Sequence, residues 1–170
     1  MIKIILFTVL GIALLVAVIA AVGYMLPKGH LASRTVVYAA QPAAVFAAIT
    51  DFAKLSEWRT GITSVELLPD DGRGARFREH GKDGVIAYRV ERLEPDMKLV
   101  TRIDDKSLPF GGTWTFDLAA APAGTSLTIT EDGEVYNPIF RVMSKTIFSP
   151  YATIDTYQAD LRRRLDASFK

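Results

Sequence analysis

The chain has 170 residues, of which 49% are hydrophobic, and its 20 basic and 19 acidic residues leave a formal net charge of +1. This length suits one domain with an accessory segment and is too short for two full domains. A charge near zero argues against nucleic-acid binding, which needs a basic surface for phosphates, and the lack of cysteine excludes disulfides and a thiolate nucleophile.

The first element is an apolar segment over residues 4–26 that carries no charged side chain. A helix needs about 20 such residues to cross a bilayer core, whereas the apolar region of a secretory signal is only about 7–15 residues long. We therefore expect residues 1–27 to be a retained single-pass membrane anchor. Cleavage stays an alternative, because Ala21 and Gly23 have the small-residue spacing that signal peptidase accepts.

The charges that flank this segment do not decide its orientation. Lys3 lies on one side, Lys28 and Arg34 lie on the other, and the positive-inside rule needs a clear asymmetry. The side of the membrane that the rest of the chain faces is therefore left open. The glycines Gly11 and Gly23 are too far apart for a helix-packing motif, and we expect a monomer.

Residues 28–33 are predicted to be a linker, and the β-branched residues that follow predict a strand over 34–40. Apolar residues at helical spacing then predict two short helices, over 43–50 and 51–58.

From residue 62 the apolar pattern changes to a period of two, which is typical of strands. Six strands are predicted, over residues 62–68, 75–80, 85–93, 99–104, 113–119 and 126–136. Turn residues and short connections separate them, so consecutive strands should be antiparallel neighbours. One face of this sheet is mainly apolar and also carries two carboxylates; its members are Phe77, Glu79, Ile86, Tyr88, Val90, Leu99, Thr101, Ile103, Trp114, Phe116, Leu118, Leu127, Ile129 and Glu131.

Residues 137–170 are predicted to form one amphipathic helix that covers this face. Asn137 is a good cap and Pro138 a good first helical residue, whereas Pro150 should bend or break the helix. The apolar stripe contains Phe140, Met143, Ile147, Tyr151, Ile154, Leu161 and Leu165. The opposite face, which includes Arg141, Lys145 and Asp160, is predicted to be solvated.

The element order resembles that of the SRPBCC superfamily, the helix-grip fold of START lipid-transfer domains, birch-pollen-allergen-like proteins and the polyketide cyclase/dehydrase group. The similar stretches are 42–52 (PAAVFAAITDF) followed by Trp58, then 88–91 (YRVE), 112–116 (GTWTF) and 128–134 (TITEDGE). The resemblance covers about residues 34–168. It implies an α+β fold in which a curved antiparallel sheet of about seven strands grips the C-terminal helix, with residues 34–170 as the ligand-binding domain.

The resemblance also implies an apolar cavity between the sheet and the C-terminal helix. Such cavities hold lipids, sterols, quinones or polyketides in different branches of the superfamily, and most branches share no catalytic motif. The fold alone therefore assigns no reaction.

Three inward-facing side chains are candidates for acid–base chemistry. A carboxylate inside an apolar cavity has a raised pKa, so Glu79 and Glu131 could act as acid or base. The alternative is that both reach water or an arginine of a neighbouring strand. Tyr88 could donate a hydrogen bond to a ligand carbonyl, or simply to a backbone group.

Apolar side chains near the expected cavity are candidate ligand contacts, although each could instead be part of the core. They are Trp58, Phe77, Tyr88, Phe110, Trp114, Phe116, Ile129, Met143, Ile147, Tyr151 and Ile154. We expect no metal and no cofactor, because His30 and His80 are far apart in sequence and no metal-binding or phosphate-binding motif is present.

Three functions agree with these patterns. The favoured one is a membrane-tethered carrier or sensor that binds one hydrophobic molecule. The others are a cyclase/dehydratase-type enzyme that acts on a polyketide-like substrate, and an interaction domain whose core is filled.

Overall fold

The structure, a computed structural model, describes residues 1–82, 84–146 and 149–167. An apolar helix comes first, then a strand, three short helical segments, six further strands and two C-terminal helices. Their bounds are α1 Ile2–Met25, β1 Gly29–Tyr38, α2 Pro42–Thr50, a 3₁₀ turn Phe52–Lys54, α3 Leu55–Trp58, β2 Ile62–Leu68, β3 Arg76–Gly81, β4 Gly84–Glu94, β5 Lys98–Ile103, β6 Phe110–Ala121, β7 Gly124–Val135, α4 Pro138–Thr146 and α5 Ala152–Ala167.

All seven strands form one antiparallel sheet in the order β1-β7-β6-β5-β4-β3-β2. Strands β2 to β7 follow one another as hairpins, because the connections between them are short. Strand β1 returns to pair with β7, with Ala32 opposite Glu131 and Tyr38 opposite Thr125. The predicted α+β helix-grip architecture is confirmed.

Strand β1 begins earlier than its sequence pattern predicts. We predicted a linker over 28–33 and a strand from residue 34, whereas β1 begins at Gly29. Residues 29–33 pair with residues 130–134 of β7. The long partner strand supplies hydrogen bonds to residues with low strand propensity, so tertiary pairing overrides the local preference.

Helix α5 covers the apolar face of the sheet together with α2, whose Val45, Phe46 and Ile49 are part of the same core. The α5 residues Ile154, Leu161 and Leu165 are buried against the sheet, as the predicted stripe requires, and Tyr157 is buried with them. The hydroxyl of Tyr38 donates to the carbonyl oxygen of Gln158 at 3.1 Å, which fastens β1 to this helix. Fully burying each large apolar side chain contributes about 1.5–3 kcal/mol.

The predicted C-terminal helix is divided into α4 and α5, and Pro150 lies between them. The side chain of Asn137 caps α4, accepting hydrogen bonds from the amides of Ile139 (2.9 Å) and Phe140 (3.2 Å). Helix α4 packs mainly against α1 rather than on the sheet, and Phe140 stays half exposed.

Two residues that we predicted to be solvated are buried. Arg141 and Asp160 are each only 2% exposed. The prediction was wrong because charge was taken as a sign of exposure. Backbone acceptors satisfy Arg141, and Thr60 together with Arg163 satisfies Asp160.

Helix α1 has 24 residues and is long enough and apolar enough to be a membrane span or a signal sequence. At about 1.5 Å per residue it is about 36 Å long, which exceeds the thickness of a bilayer core. Its side chains are exposed except near its C-terminal end, where Gly23 is buried against α4.

Candidate functional site

A small cavity, which we call the inner cavity, lies between the sheet and α5. Its volume is about 50 Å³. Most of its wall is apolar and includes the rings of Phe52, Phe77, Trp114 and Phe116. The ring of Phe77 lies between two others. Its centroid is 4.4 Å from that of Phe52 and 5.3 Å from that of Tyr88, and both pairs are stacked.

A buried ion pair forms the polar end of this cavity. Glu79, on β3, is 5% exposed, and its carboxylate accepts a hydrogen bond from the guanidinium of Arg59. Burial raises the pKa of Glu79, and the attraction of Arg59 opposes this shift. The guanidinium of Arg59 also lies 4.8 Å from the ring centroid of Tyr157.

Asp160 holds the backbone segment that carries Arg59. The amide of Thr60 donates to Asp160 Oδ2 at 2.6 Å, and the hydroxyl of Thr60 lies 2.9 Å from Asp160 Oδ1. Arg163 binds the same carboxylate. Since Asp160 is on α5, these bonds fix the loop after α3 to the helix that covers the sheet.

Two tyrosines add hydroxyl groups beside the ion pair. Burial raises the pKa of Tyr88 and of Tyr157 well above the ordinary value, and the nearby charge of Glu79 adds to the shift. Both hydroxyls therefore stay protonated at neutral pH and can donate a hydrogen bond. Thr101, buried on β5, contributes a third hydroxyl to the cavity.

Two open grooves lie beside the inner cavity. The first, which we call the side groove, has a volume of about 290 Å³ and shares Arg59, Glu79, Tyr88 and Tyr157 with the inner cavity. The second, which we call the linker groove, has a volume of about 440 Å³ and lies between α4 and the start of β1. Thr153, in the first turn of α5, lines all three spaces.

The inner cavity by itself is too small for a lipid or a polyketide. Small-molecule sites usually have volumes of about 300–1,000 Å³, and about 50 Å³ holds only a few water molecules. A larger ligand would have to occupy the inner cavity together with one of the grooves. Thr153 borders the inner cavity and both grooves, and the Arg59–Glu79 pair borders the inner cavity and the side groove.

Glu131 lies in the linker groove rather than in the inner cavity. Its Oε1 atom is 3.5 Å from His30 Nε2, and it pairs across the sheet with Trp114, which lines the inner cavity. Burial raises the pKa of Glu131, and His30 opposes this shift. Across residues 1–82, 84–146 and 149–167, no three acidic or histidine side chains are grouped as metal ligands.

Four of the predicted ligand contacts line the inner cavity: Phe77, Tyr88, Trp114 and Phe116. Ile129 and Ile154 are instead core residues with 0% exposure, so no ligand reaches them without displacing their neighbours.

Four further predicted contacts, all among the described residues, do not line the inner cavity. The indole of Trp58 packs edge-on against Tyr157 at 5.3 Å. Tyr151 packs under Arg34, whose guanidinium carbon is 3.7 Å from the ring centroid. Phe110 begins β6, and Met143 is on α4. Ile147 lies outside the described residues.

The sequence interpretation missed Arg59 and Thr153. One alternative in the sequence interpretation was that an arginine of a neighbouring strand pairs with Glu79. Arg59 comes instead from the loop after α3, where no periodic pattern indicates which way a side chain points. Thr153 precedes the buried Ile154 on α5, and only the convergence of the three spaces distinguishes it from other surface threonines.

Comparison with known proteins relates the chain to one family and one fold. The family model described as "Polyketide cyclase / dehydrase and lipid transport" matches residues 30–166. No curated protein is significantly similar in sequence.

Three solved structures illustrate the similarity in fold. A START superfamily protein from Mycobacterium smegmatis has a TM-score of 0.64 and 20% identity, covering 81% of this chain and 98% of its own. The Zhui aromatase/cyclase from Streptomyces sp. R1128 has a TM-score of 0.67 and 12% identity, covering 84% and 96%. Norcoclaurine synthase from Thalictrum flavum has a TM-score of 0.63 and 8% identity, covering 81% and 86%.

Proposed function

Because the chain belongs to the polyketide cyclase / dehydrase and lipid transport family, we propose that its domain over residues 34–170 binds one hydrophobic small molecule between the sheet and α5. The ligand class is a lipid, a quinone or a polyketide-like compound. Helix α1 tethers this domain to a membrane as a single-pass anchor.

The observation that carries this proposal is the composition of the inner cavity. An apolar, aromatic wall with a few convergent polar groups is typical of a small-molecule site. The Arg59–Glu79 pair and the hydroxyls of Tyr88 and Thr101 supply those polar groups. The apolar part of a ligand would contact the rings, and a carbonyl or hydroxyl would exchange hydrogen bonds with the polar end.

Ligand binding enlarges the site at Thr153. The side chain of Thr153 is exposed to all three spaces, so its displacement joins the inner cavity to a groove without opening the core. The two grooves have volumes of about 290 and 440 Å³, and either supplies the space that a larger ligand needs.

The tether serves the same function. Hydrophobic ligands partition into the bilayer, so a domain held at its surface captures them without a long transfer through water. Arg141 donates hydrogen bonds to the carbonyl oxygens of Gly23 (2.8 Å) and Leu26 (3.1 Å), which connects the end of α1 directly to the domain.

The test is native mass spectrometry of the full chain in detergent, followed by extraction and identification of any bound apolar compound. Thr153→Trp should fill the junction of the three spaces and lower the bound fraction at least about tenfold. Ala159→Trp is the matched control, because Ala159 is exposed on the same helix and should leave binding unchanged. A chain that carries no apolar compound, and that no lipid or quinone stabilises, would instead be an interaction domain with a filled core.

A cyclase/dehydratase-type reaction is the second candidate. It is favoured by the position of Glu79 and Tyr88, which line both the inner cavity and the side groove and are therefore placed to reach a bound substrate. Glu131 is a further candidate acid or base. Glu79→Gln, Tyr88→Phe and Glu131→Gln each test one role, and unchanged turnover of a polyketide substrate would remove that residue from the mechanism.

A further inference from the structure

The linker groove begins where the apolar helix ends. Arg141 joins them, since its Nη1 atom donates to the carbonyl oxygens of Gly23 and Leu26, while its Nε and Nη2 atoms donate to those of Val135 (3.0 Å) and Tyr136 (3.1 Å). A cation at this position satisfies the free carbonyls of the helix end and complements its dipole. These hydrogen bonds therefore fix the position of the groove relative to the C-terminal end of α1.

The same arginine gives the groove a fixed positive charge. Arg141 is 98% buried and lines the groove, and within the part of the chain that the structure describes its hydrogen-bond partners are neutral carbonyl oxygens rather than carboxylates. A buried cation without an anion is costly, so an anionic ligand in the groove would stabilise it.

Two exposed lysines add to this charge. Lys28 comes from the segment after α1 and Lys145 from α4, and both line the groove together with Ser144. Among the described residues, Glu131 is the acidic side chain of this groove, and its carboxylate already lies against His30. Positive charge thus exceeds negative charge.

The groove is also lined by apolar residues. Pro27, Leu31 and Val135 line it, and Leu31 is 70% exposed although it is a large apolar residue. A groove that is lined by both cations and apolar groups fits an amphiphile with a negatively charged head group.

We propose that the linker groove binds the head group of an anionic phospholipid from the membrane that α1 crosses. This inference rests on the proposed membrane tether. Lys28 and Lys145 contact the phosphate and Arg141 supplies the fixed charge behind them, while Leu31 and Pro27 contact the start of the acyl chains.

The test measures binding of phosphatidylglycerol and of phosphatidylcholine to the full chain in detergent by native mass spectrometry. Each lysine should favour an anionic head group by about 1 kcal/mol, so the two together should give a roughly 30-fold preference for phosphatidylglycerol over phosphatidylcholine. The double variant Lys28→Gln/Lys145→Gln should reduce the preference to below about threefold, and higher salt should reduce it in the unmodified chain. Lys54→Gln/Lys106→Gln is the control with the same change in charge, since neither lysine lines the linker groove.

A preference that survives in the Lys28→Gln/Lys145→Gln chain overturns the proposal. So does equally tight binding of glycerol phosphate, which would show that the groove takes a soluble anion rather than a lipid. The outcome is separate from that of the cavity proposal. A chain with no apolar compound in its cavity but with a lysine-dependent lipid preference refutes the cavity proposal and supports the groove.

Discussion

Arg59 and Glu79 form an ion pair at the boundary between the inner cavity and the side groove, and both side chains line both spaces. The pair joins a loop to the sheet, since Arg59 follows α3 and Glu79 is on β3. Both charges lie in a mostly apolar wall, where electrostatic interactions are stronger than in water. The pair is thus both a structural contact and the polar end of the proposed site.

Glu79→Gln should destabilise the fold by about 3–5 kcal/mol, because it leaves the buried guanidinium of Arg59 without its anion. Arg59→Met/Glu79→Leu should recover most of this loss, since it removes both charges together. Urea unfolding of Arg59→Met, Glu79→Leu and the double variant measures the coupling. Additive losses would show that the two side chains do not depend on each other.

Asp160→Ala should cost about 2–3 kcal/mol, because the part-buried hydrogen bond from the amide of Thr60 loses its acceptor and Arg59 loses its fixed position. Asp166→Ala, at an exposed position of the same helix, is the control and should change stability by less than about 0.5 kcal/mol. Thermal unfolding in detergent measures both. Equal effects of the two substitutions would contradict the positioning role of Asp160.

Arg141→Met should lower stability by at least about 3 kcal/mol, because four backbone carbonyl oxygens lose a charged donor. A chain of this size loses about 2–4 °C in melting temperature per kcal/mol. Arg92→Met is the matched control, since Arg92 forms an exposed ion pair with Glu94. Melting temperatures within a degree of each other would show that Arg141 does not hold α1 to the domain.

Gly23→Ala should separate α1 from α4, because a Cβ atom at this position would overlap the backbone carbonyl of Pro138. Gly11→Ala is the control in the same helix, where an added Cβ meets nothing within 4 Å. Amide hydrogen exchange of α4 in detergent should rise in the first variant and stay unchanged in the second. Unchanged protection in both variants would contradict the close helix contact.

The stability contribution of Glu131 should fall as the pH rises. Its native pKa is raised by burial, so above its ordinary value of 4.5 the unfolded state loses its proton first and becomes favoured. The measurement compares His30→Gln with His30→Gln/Glu131→Gln. The free energy of unfolding of the first chain minus that of the second should decrease from pH 4 to pH 7. Glutamine at position 30 removes the charge that opposes the shift of Glu131. A difference that is constant or that increases would contradict the raised pKa.

Much of the architecture followed from local patterns. The period-two alternation predicted which side chains share the inner face, and Phe77, Glu79, Leu99, Phe116 and Ile129 are all buried there. Such patterns are reliable because one face of this sheet must be covered, so each strand has a single acceptable register. The break at Pro150 followed from the geometry of proline itself.

The positions of charged residues depended on distant parts of the chain. Nothing near Arg141 in sequence indicates that it would be buried, since two of its acceptors, Gly23 and Leu26, are more than 100 residues earlier. The partner of Glu79 likewise comes from a loop with no periodic pattern. Whether a charged side chain is buried depends on its partners more than on the periodicity of its own element, because burial of a charge is tolerated only where hydrogen bonds replace water.

The sequence by itself determined the seven-stranded sheet, its apolar face and the helix that covers it, because alternation and amphipathicity are properties of neighbouring residues. Only the tertiary structure decided that the inner cavity is small, that Thr153 borders three spaces and that the start of the C-terminal segment packs on the apolar helix. Those features depend on how side chains from distant elements fill the same volume, and no local pattern encodes that fit.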